Sequence, residues 1–271
     1  MVSFPPCKIN LGLNVIRKRS DGYHDIETCF YPVAWTDILE IIPSGQFSFT
    51  QTGITIPGAG KNLCITAYEL LKKEYDLKPV SVHLHKIIPT GAGLGGGSSN
   101  AAYALQLLNS IFSLALTKDD LRHYASSLGS DCSFFITDEA MIGTSRGEVL
   151  HPVTVEQLKG KFIIIVKPEV HVSTAEAYAG VIPAEPTITI RQILTEVSID
   201  EWREKLKNDF EPSVFKHHPE IRLIKERLYH EGALYASMSG SGSSVFGIFE
   251  SPLSIQHIFP GCIMWCGQLS L

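Results

Sequence analysis

Residues 89–100, Pro-Thr-Gly-Ala-Gly-Leu-Gly-Gly-Gly-Ser-Ser-Asn, place five glycines in seven positions. Glycine reaches backbone conformations closed to other residues, so such a run can wrap closely around a ligand. An apolar, strand-like run with Val80, Val82, Leu84, Ile87 and Ile88 precedes it, and a strongly periodic helix follows. A segment held between two core elements is not a free linker. A helix start carries unpaired N–H groups and about half a positive charge. A glycine loop feeding that start makes a cradle for phosphate.

The chain has 271 residues, of which 44% are hydrophobic and 19% charged, enough for one large core or two smaller ones. Its net charge of −5 gives a nucleic-acid partner no general electrostatic support. No apolar run approaches membrane-spanning length, and Met1 to Lys8 lacks the basic-then-apolar order of a signal peptide. These features predict a cytoplasmic protein with a small-molecule substrate, no nucleic-acid or membrane partner, and a monomeric or weakly homodimeric state. Cys7, Cys29, Cys64, Cys132, Cys262 and Cys266 show no C-x-x-C spacing, and no His cluster completes a zinc site. They read as reduced thiols packed as small apolar side chains, and no metal-ligating residues are expected.

Residues 7–16 read as a strand with Ile9, Leu11, Leu13 and Val15 on one face and Lys8, Asn10, Gly12 and Asn14 on the other. Arg19-Ser20-Asp21-Gly22 is a turn into a second strand that runs to Val33. Residues 37–56 predict further strands, broken at Ser44-Gly45 and Pro57-Gly58. Asn62 to Tyr75 predicts a helix, residues 80–88 a strand, and Asn100 to Leu116 a second helix. Thr117-x-x-Asp120 is a capping-box pattern opening a third helix that Gly129 stops. Residues 132–136 and 140–150 predict strands, as do Phe162 to Val166, Leu234 to Met238 and Val245 to Phe249. Ser173-x-x-Glu176 starts a helix, 183–200 is loose and polar, a charged helix runs from Ile199 to about Asp209, and Pro219 opens another ending near Gly232. The chain after Ser251 gives no clear pattern. A boundary near residue 152 divides it into domains 1–152 and 153–271.

Gly91-x-Gly93-x-x-Gly96 matches the dinucleotide fingerprint, but the window about 20 residues on holds Asp119 and Asp120 at a helix start, not an acidic residue ending a strand. A P-loop requires lysine after Gly91-x-x-x-x-Gly96, where Gly97-Ser98 stand instead. The protein-kinase signatures are absent as well. What is left is a phosphate cradle of another design.

Four separated motifs, in order, resemble one family: Cys7-Lys8-Ile9-Asn10-Leu11-Gly12-Leu13, the P-x-G-x-G-L-G-x-S-S pattern of Pro89 to Ser99, Gly129-Ser130-Asp131, and Ser239-Gly240-Ser241-Gly242. Together they resemble the GHMP kinases, named for galactokinase, homoserine, mevalonate and phosphomevalonate kinases. Arg19-Ser20-Asp21-Gly22-Tyr23-His24, and Lys167-Pro168 followed by Val172 to Tyr178, are similar to the branch that phosphorylates a cytidyl-diphosphate polyol in the non-mevalonate isoprenoid pathway.

The resemblance implies a two-domain α+β fold with the active site in the interdomain cleft. Its N-terminal domain is ribosomal-protein-S5-domain-2-like and binds the nucleotide. Its C-terminal domain is ferredoxin-like and completes the substrate site. ATP is the implied phosphate donor, with Mg²⁺ expected alongside it. The phosphates would lie on Pro89, Thr90, Gly91, Ala92, Gly93, Leu94, Gly95, Gly96, Gly97, Ser98 and Ser99, with Asn62 and Leu63 near the adenine. Asp131 is implied as the base that accepts the hydroxyl proton, and Lys8 as the cation that favours the alkoxide as it forms. Asn10, Ser239 and Gly240 are implied near the substrate. Tyr23 and Tyr178 match aromatic positions that sandwich cytosine, and His24 the position that reads the base edge. Many family members carry Phe where this chain has Tyr178. A related kinase for mevalonate-like or sugar substrates is the alternative, and Tyr23, His24 and Tyr178 argue against it because such substrates have no base to stack. Lys8 and Asp131 together argue against a non-enzymatic binding protein on the same fold.

Overall fold

The computed structural model describes residues 1–56, 60–254 and 256–269. The expected break at Pro57-Gly58 lies outside them. The described residues form strands β1 (Val2–Ser3), β2 (Pro6–Lys18), β3 (His24–Thr36), β4 (Ile38–Pro43) and β5 (Ser48–Gly53), helix α1 (Leu63–Glu74), strand β6 (Val80–Lys86) and helices α2 (Gly96–Phe112) and α3 (Lys118–Leu128). Strands β7 (Met141–Ser145), β8 (Val149–Pro152) and β9 (Phe162–Lys167) follow, then helices α4 (Thr174–Ala179), α5 (Ile190–Glu196), α6 (Trp202–Lys205), α7 (Glu211–His217) and α8 (Pro219–His230). Strands β10 (Tyr235–Met238), β11 (Val245–Phe249) and β12 (Ile263–Gln268) end the chain. The fold divides into two compact units. The first comprises Met1–Cys7, Trp35–Thr90 and Gly95–Asp138, and the second Lys8–Ala34, Gly91–Leu94 and Glu139–Leu271.

In the first unit a four-stranded sheet runs in the order β1-β4-β6-β5, with β5 parallel to β6 and the other pairs antiparallel. β6 alternates strictly: Val80, Val82, Leu84 and Lys86 are buried, while Ser81, His83 and His85 are half-exposed. This is the period-2 pattern of a strand with one face on a core. Helices α1, α2 and α3 pack on one another, and α2 lies against β4. The small residues Ala101, Ala102 and Ala104 bury completely along α2, with Leu105 and Leu108. The Thr117–Asp120 capping box forms as its spacing predicts.

Two expectations for this unit need correction. Helix α2 starts at Gly96, inside the glycine run, and not at Asn100; it ends at Phe112, where Ser113 turns left-handed at φ 51°. Residues 132–136 form a 3₁₀ turn and not a strand. All five are buried, and Cys-Ser-Phe-Phe-Ile is too short to carry a periodicity that tells strand from helical turn. Its amides bond locally, as in Cys132 N–H to the Gly129 carbonyl at 3.1 Å.

The second unit contains two four-stranded sheets, β2-β3-β7-β8 and β10-β11-β9-β12. The expected single strand over 140–150 is the hairpin β7–β8, turned at Arg146-Gly147-Glu148. Helix α8 covers β10 and β11, and α7 packs on α8. Their shared core includes Leu13, Val15, Val166, Phe210, Val214, Ile221, Leu228 and Met238. The polar stretch 183–200 contains α5, opened by a Thr189–Gln192 capping box. The helix expected to reach Asp209 stops at Lys205, because Asn208 and Asp209 make other bonds. Helix α7 and strand β12 had no expectation at all.

Candidate active site

The Lys8–Asn10 face of β2 faces inward. Lys8 is 3% exposed and Asn10 2%. A buried ammonium is tolerated only with close partners. Lys8 Nζ donates to Asn10 Oδ1 at 2.5 Å and to the Gly93 carbonyl at 3.1 Å, and lies 5.2 Å from the centre of the Phe30 ring. Asn10 Nδ2 donates to Thr28 Oγ1 (2.9 Å), which itself donates to the Gly12 carbonyl (2.6 Å). The lysine is thus aimed by a chain of bonds across β2 and β3.

Within the second unit, Gly91–Leu94 is seated on the loop 239–244. The main chain of Lys8 donates to the Leu94 carbonyl (2.9 Å), and that of Ser244 to the Ala92 carbonyl (3.2 Å). Ser239 is fully buried; its hydroxyl donates to the Gly93 carbonyl (2.9 Å) and accepts from the Asn10 N–H (3.2 Å). Gly93 has φ +76°, and a Cβ there would stand 2.0 Å from the Ser239 carbonyl oxygen. Only glycine fits this contact. Lys8, Asn10, Gly93, Ser239 and Gly240 therefore belong to one cluster.

Two of the three side chains expected at the cytosine, His24 and Tyr178, meet in a second cluster of the same unit. The His24 and Tyr178 rings stack at 4.7 Å and 17°, and Phe210 meets the Tyr178 ring edge-on at 4.7 Å. Tyr23 is 58% exposed, with the Arg146 guanidinium 5.2 Å from its ring centre. Its turn is stiff: Tyr23 N–H donates to Asp21 Oδ1 (3.1 Å), and Arg19 bonds both Asp21 and Asp25. The Tyr23 amide holds the Asp21 carboxyl below its usual range.

The remaining expected residues belong to the first unit. Gly95, left-handed at φ 69°, precedes α2 and offers no side chain to cap it. Ser99 N–H bonds back to the Gly95 carbonyl (2.9 Å), so the first-turn amides of Gly96, Gly97 and Ser98 head the helix without a side-chain cap. A Cβ on Gly96 would reach within 2.8 Å of Lys86 Nζ. Ser99 Oγ is buried with no hydrogen-bond partner. Pro89 is buried and Thr90 half-exposed. Asn62 has a structural task, since its Oδ1 caps α1 through Cys64 N–H at 2.9 Å; Leu63 is half-exposed beside it. Asp131 heads the 3₁₀ turn at Cys132–Ile136, yet its carboxylate makes no cap bond to that turn. Cys132 beside it is a packed thiol, pushed up to about 11 by burial, consistent with the packing read for the cysteines.

Two further groups were not legible as site residues. Asp37 is fully buried and forms an ion pair with Lys86, also fully buried. It accepts from Ile87 N–H (2.7 Å), Ile88 N–H (2.8 Å) and Asn100 Nδ2 (2.8 Å). It thereby ties the chain after β6 to the first turns of α2. Asn208 holds the carbonyls of Met238 (2.8 Å) and Gly240 (2.9 Å). Both act on main-chain groups far away in sequence, which no motif signals.

Family models for the GHMP kinases N-terminal domain and the GHMP kinases C-terminal region match residues 62–139 and 193–259. A 4-diphosphocytidyl-2-C-methyl-D-erythritol kinase of Parabacteroides distasonis is 50% identical over 273 residues, covering all of both chains. One of Cytophaga hutchinsonii is 50% identical over 258 residues, 95% of each chain. A solved 4-(cytidine 5'-diphospho)-2C-methyl-D-erythritol kinase shares the fold with a TM-score of 0.83 at 30% identity, covering 100% of this chain and 99% of its own. By sequence over its full length and by fold, this chain belongs to the GHMP kinase family, in the same branch as these relatives.

Proposed function

We propose that the chain transfers the γ-phosphate of ATP to the 2-hydroxyl of 4-diphosphocytidyl-2-C-methyl-D-erythritol, giving the 2-phosphate and ADP, in the non-mevalonate isoprenoid pathway. Full-length identity of 50% to relatives of that name carries the reading. Phosphoryl transfer asks a protein mainly for positioning and charge stabilisation, and both kinds of group are present. The amides from Gly91 to Ser99, with those at the start of α2, receive the phosphates. Pro89 and Thr90 lead into that loop, and Asn62 and Leu63 flank the adenine. Asp131 takes the hydroxyl proton, and Lys8 favours the oxygen anion that forms. Asn10, Ser239 and Gly240 shape the substrate side. Mg²⁺ entering with ATP screens phosphate charge. No group of three or more His, Cys, Asp or Glu that could hold a metal occurs among the described residues; the ligands proposed for it are phosphate oxygens, water and one serine. Residues 1–152 serve the nucleotide and 153–271 complete the substrate site. The setting is cytoplasmic and the state a monomer or weak homodimer. No helix among the described residues is long and apolar enough to cross a membrane.

Cytosine recognition falls to Tyr23, His24 and Tyr178. Base stacking on an aromatic ring contributes about 1–3 kcal/mol per base. Tyr23→Ala is therefore expected to raise KM for the cytidyl substrate by about 5–150-fold, with a much smaller change for ATP. An unchanged KM refutes the stacking role. The whole reading is tested by ADP release coupled to a dehydrogenase assay. Release should require the cytidyl alcohol and fail with free mevalonate or galactose. Rapid turnover of either of these assigns the chain to another substrate class.

A further inference from the structure

Strand β10 lies at the margin of its sheet, with β11 on one side. At its last residue, Glu211 at the start of α7 and Asn208 in the segment before it occupy the outward hydrogen-bonding groups. Met238 N–H donates to Glu211 Oε1 (2.8 Å), and the Met238 carbonyl accepts from Asn208 Nδ2 (2.8 Å). The second Nδ2 hydrogen of Asn208 reaches the Gly240 carbonyl (2.9 Å), and its Oδ1 accepts from Phe210 N–H (3.0 Å). Both amide hydrogens are used, one at the end of β10 and one on the loop after it, and the oxygen accepts from the residue that heads α7. Asn208 is itself pinned to β2. Leu13 N–H donates to the Lys207 carbonyl (2.8 Å), Asp209 N–H to the Leu13 carbonyl (2.9 Å), and Val15 N–H to Asp209 Oδ2 (2.7 Å).

We infer that Asn208 is a positioning residue for phosphoryl transfer: one buried amide, fixed to β2, sets the loop that seats Gly93, Asn10 and Lys8. The path is short. Asn208 fixes the carbonyls on either side of Ser239. Ser239 Oγ bonds Gly93 O and Asn10 N–H, and Lys8 Nζ bonds Gly93 O and Asn10 Oδ1. Only a neutral amide serves two carbonyls and one N–H from a single side-chain end. An aspartate of the same shape keeps the acceptor for Phe210 but turns a second oxygen toward the carbonyls of Met238 and Gly240. The inference rests on the kinase reading proposed above, and one arm of its test is independent of that reading.

The test compares the wild-type chain with Asn208→Asp by steady-state kinetics and by amide hydrogen exchange. A loop displaced by about an ångström costs about 10–10²-fold in rate. The expected result is a fall of that size in kcat in the folded variant, with a lowered melting temperature because a buried carboxylate then faces two carbonyls. KM for ATP should move by less than about threefold. Exchange should quicken in 239–244 and 8–14 but not in β9. Wild-type kcat in the folded variant overturns the inference, and so does unchanged protection at 239–244. If Asn208→Asp does not fold, Asn208→Ser, which lacks the reach to either carbonyl, is read against the same outcomes. If the wild-type chain fails to phosphorylate the cytidyl alcohol, the substrate reading falls, and the exchange arm still decides whether Asn208 holds the loop.

Discussion

Asp131→Asn is expected to lower kcat by about 10²–10⁴-fold, the range contributed by a positioned general base, while ATP affinity by titration calorimetry stays unchanged. Asparagine keeps the size and most of the hydrogen-bonding shape of aspartate, so a folding defect is not expected. The native carboxylate makes no cap bond to its own 3₁₀ turn. The loss should appear equally in kcat and in kcat/KM for the cytidyl alcohol, the signature of an interaction made in the transition state. Near-normal turnover would remove Asp131 from the mechanism and leave positioning by the glycine loop as the main source of rate.

Asp37→Ala should produce the largest loss of stability. The carboxylate answers four donors: Lys86, the Ile87 and Ile88 amides, and Asn100. Deleting it strands a lysine whose side chain is fully buried. Breaking one side of a buried ion pair costs about 3–5 kcal/mol, against a total stability of about 5–15 kcal/mol for a typical domain. Burial already holds the Lys86 amine below its usual range, so shedding its proton relieves part of this cost. Urea unfolding should show a lower midpoint with little change in slope. Adding Lys86→Met to Asp37→Ala should restore part of the loss, since apolar replacement of both partners is near neutral. Wild-type stability in the single variant would show that water reaches and solvates Lys86.

The parts of the fold legible in sequence are those whose signal is local. The alternation of Val80, Val82 and Leu84 fixes β6, the Thr117–Asp120 pair fixes the start of α3, and Pro219 opens α8. Where local signal is lacking, the reading fails. Cys132 to Ile136 is a five-residue run too short to show a period, and α5 is short and set in polar sequence. The site divides in the same way. The ordered motifs name Lys8, the glycine loop, Asp131 and Ser239-Gly240. They do not name Asp37, whose amide partner Ile87 is 50 residues away, or Asn208, whose carbonyl partner Met238 is 30 away. Such residues are defined by the backbone they touch, which exists only after folding. Nor does residue type show that Ser239, expected beside the substrate, gives its hydroxyl to two main-chain groups.

The grip of α7 on Met238 has a consequence outside chemistry. A strand at the border of a sheet offers open amides and carbonyls on which another polypeptide can add itself, the usual seed of domain exchange and aggregation. Here that border is stoppered at its end by Glu211 and Asn208, so an incoming strand must first expel a carboxylate and an amide from their bonds.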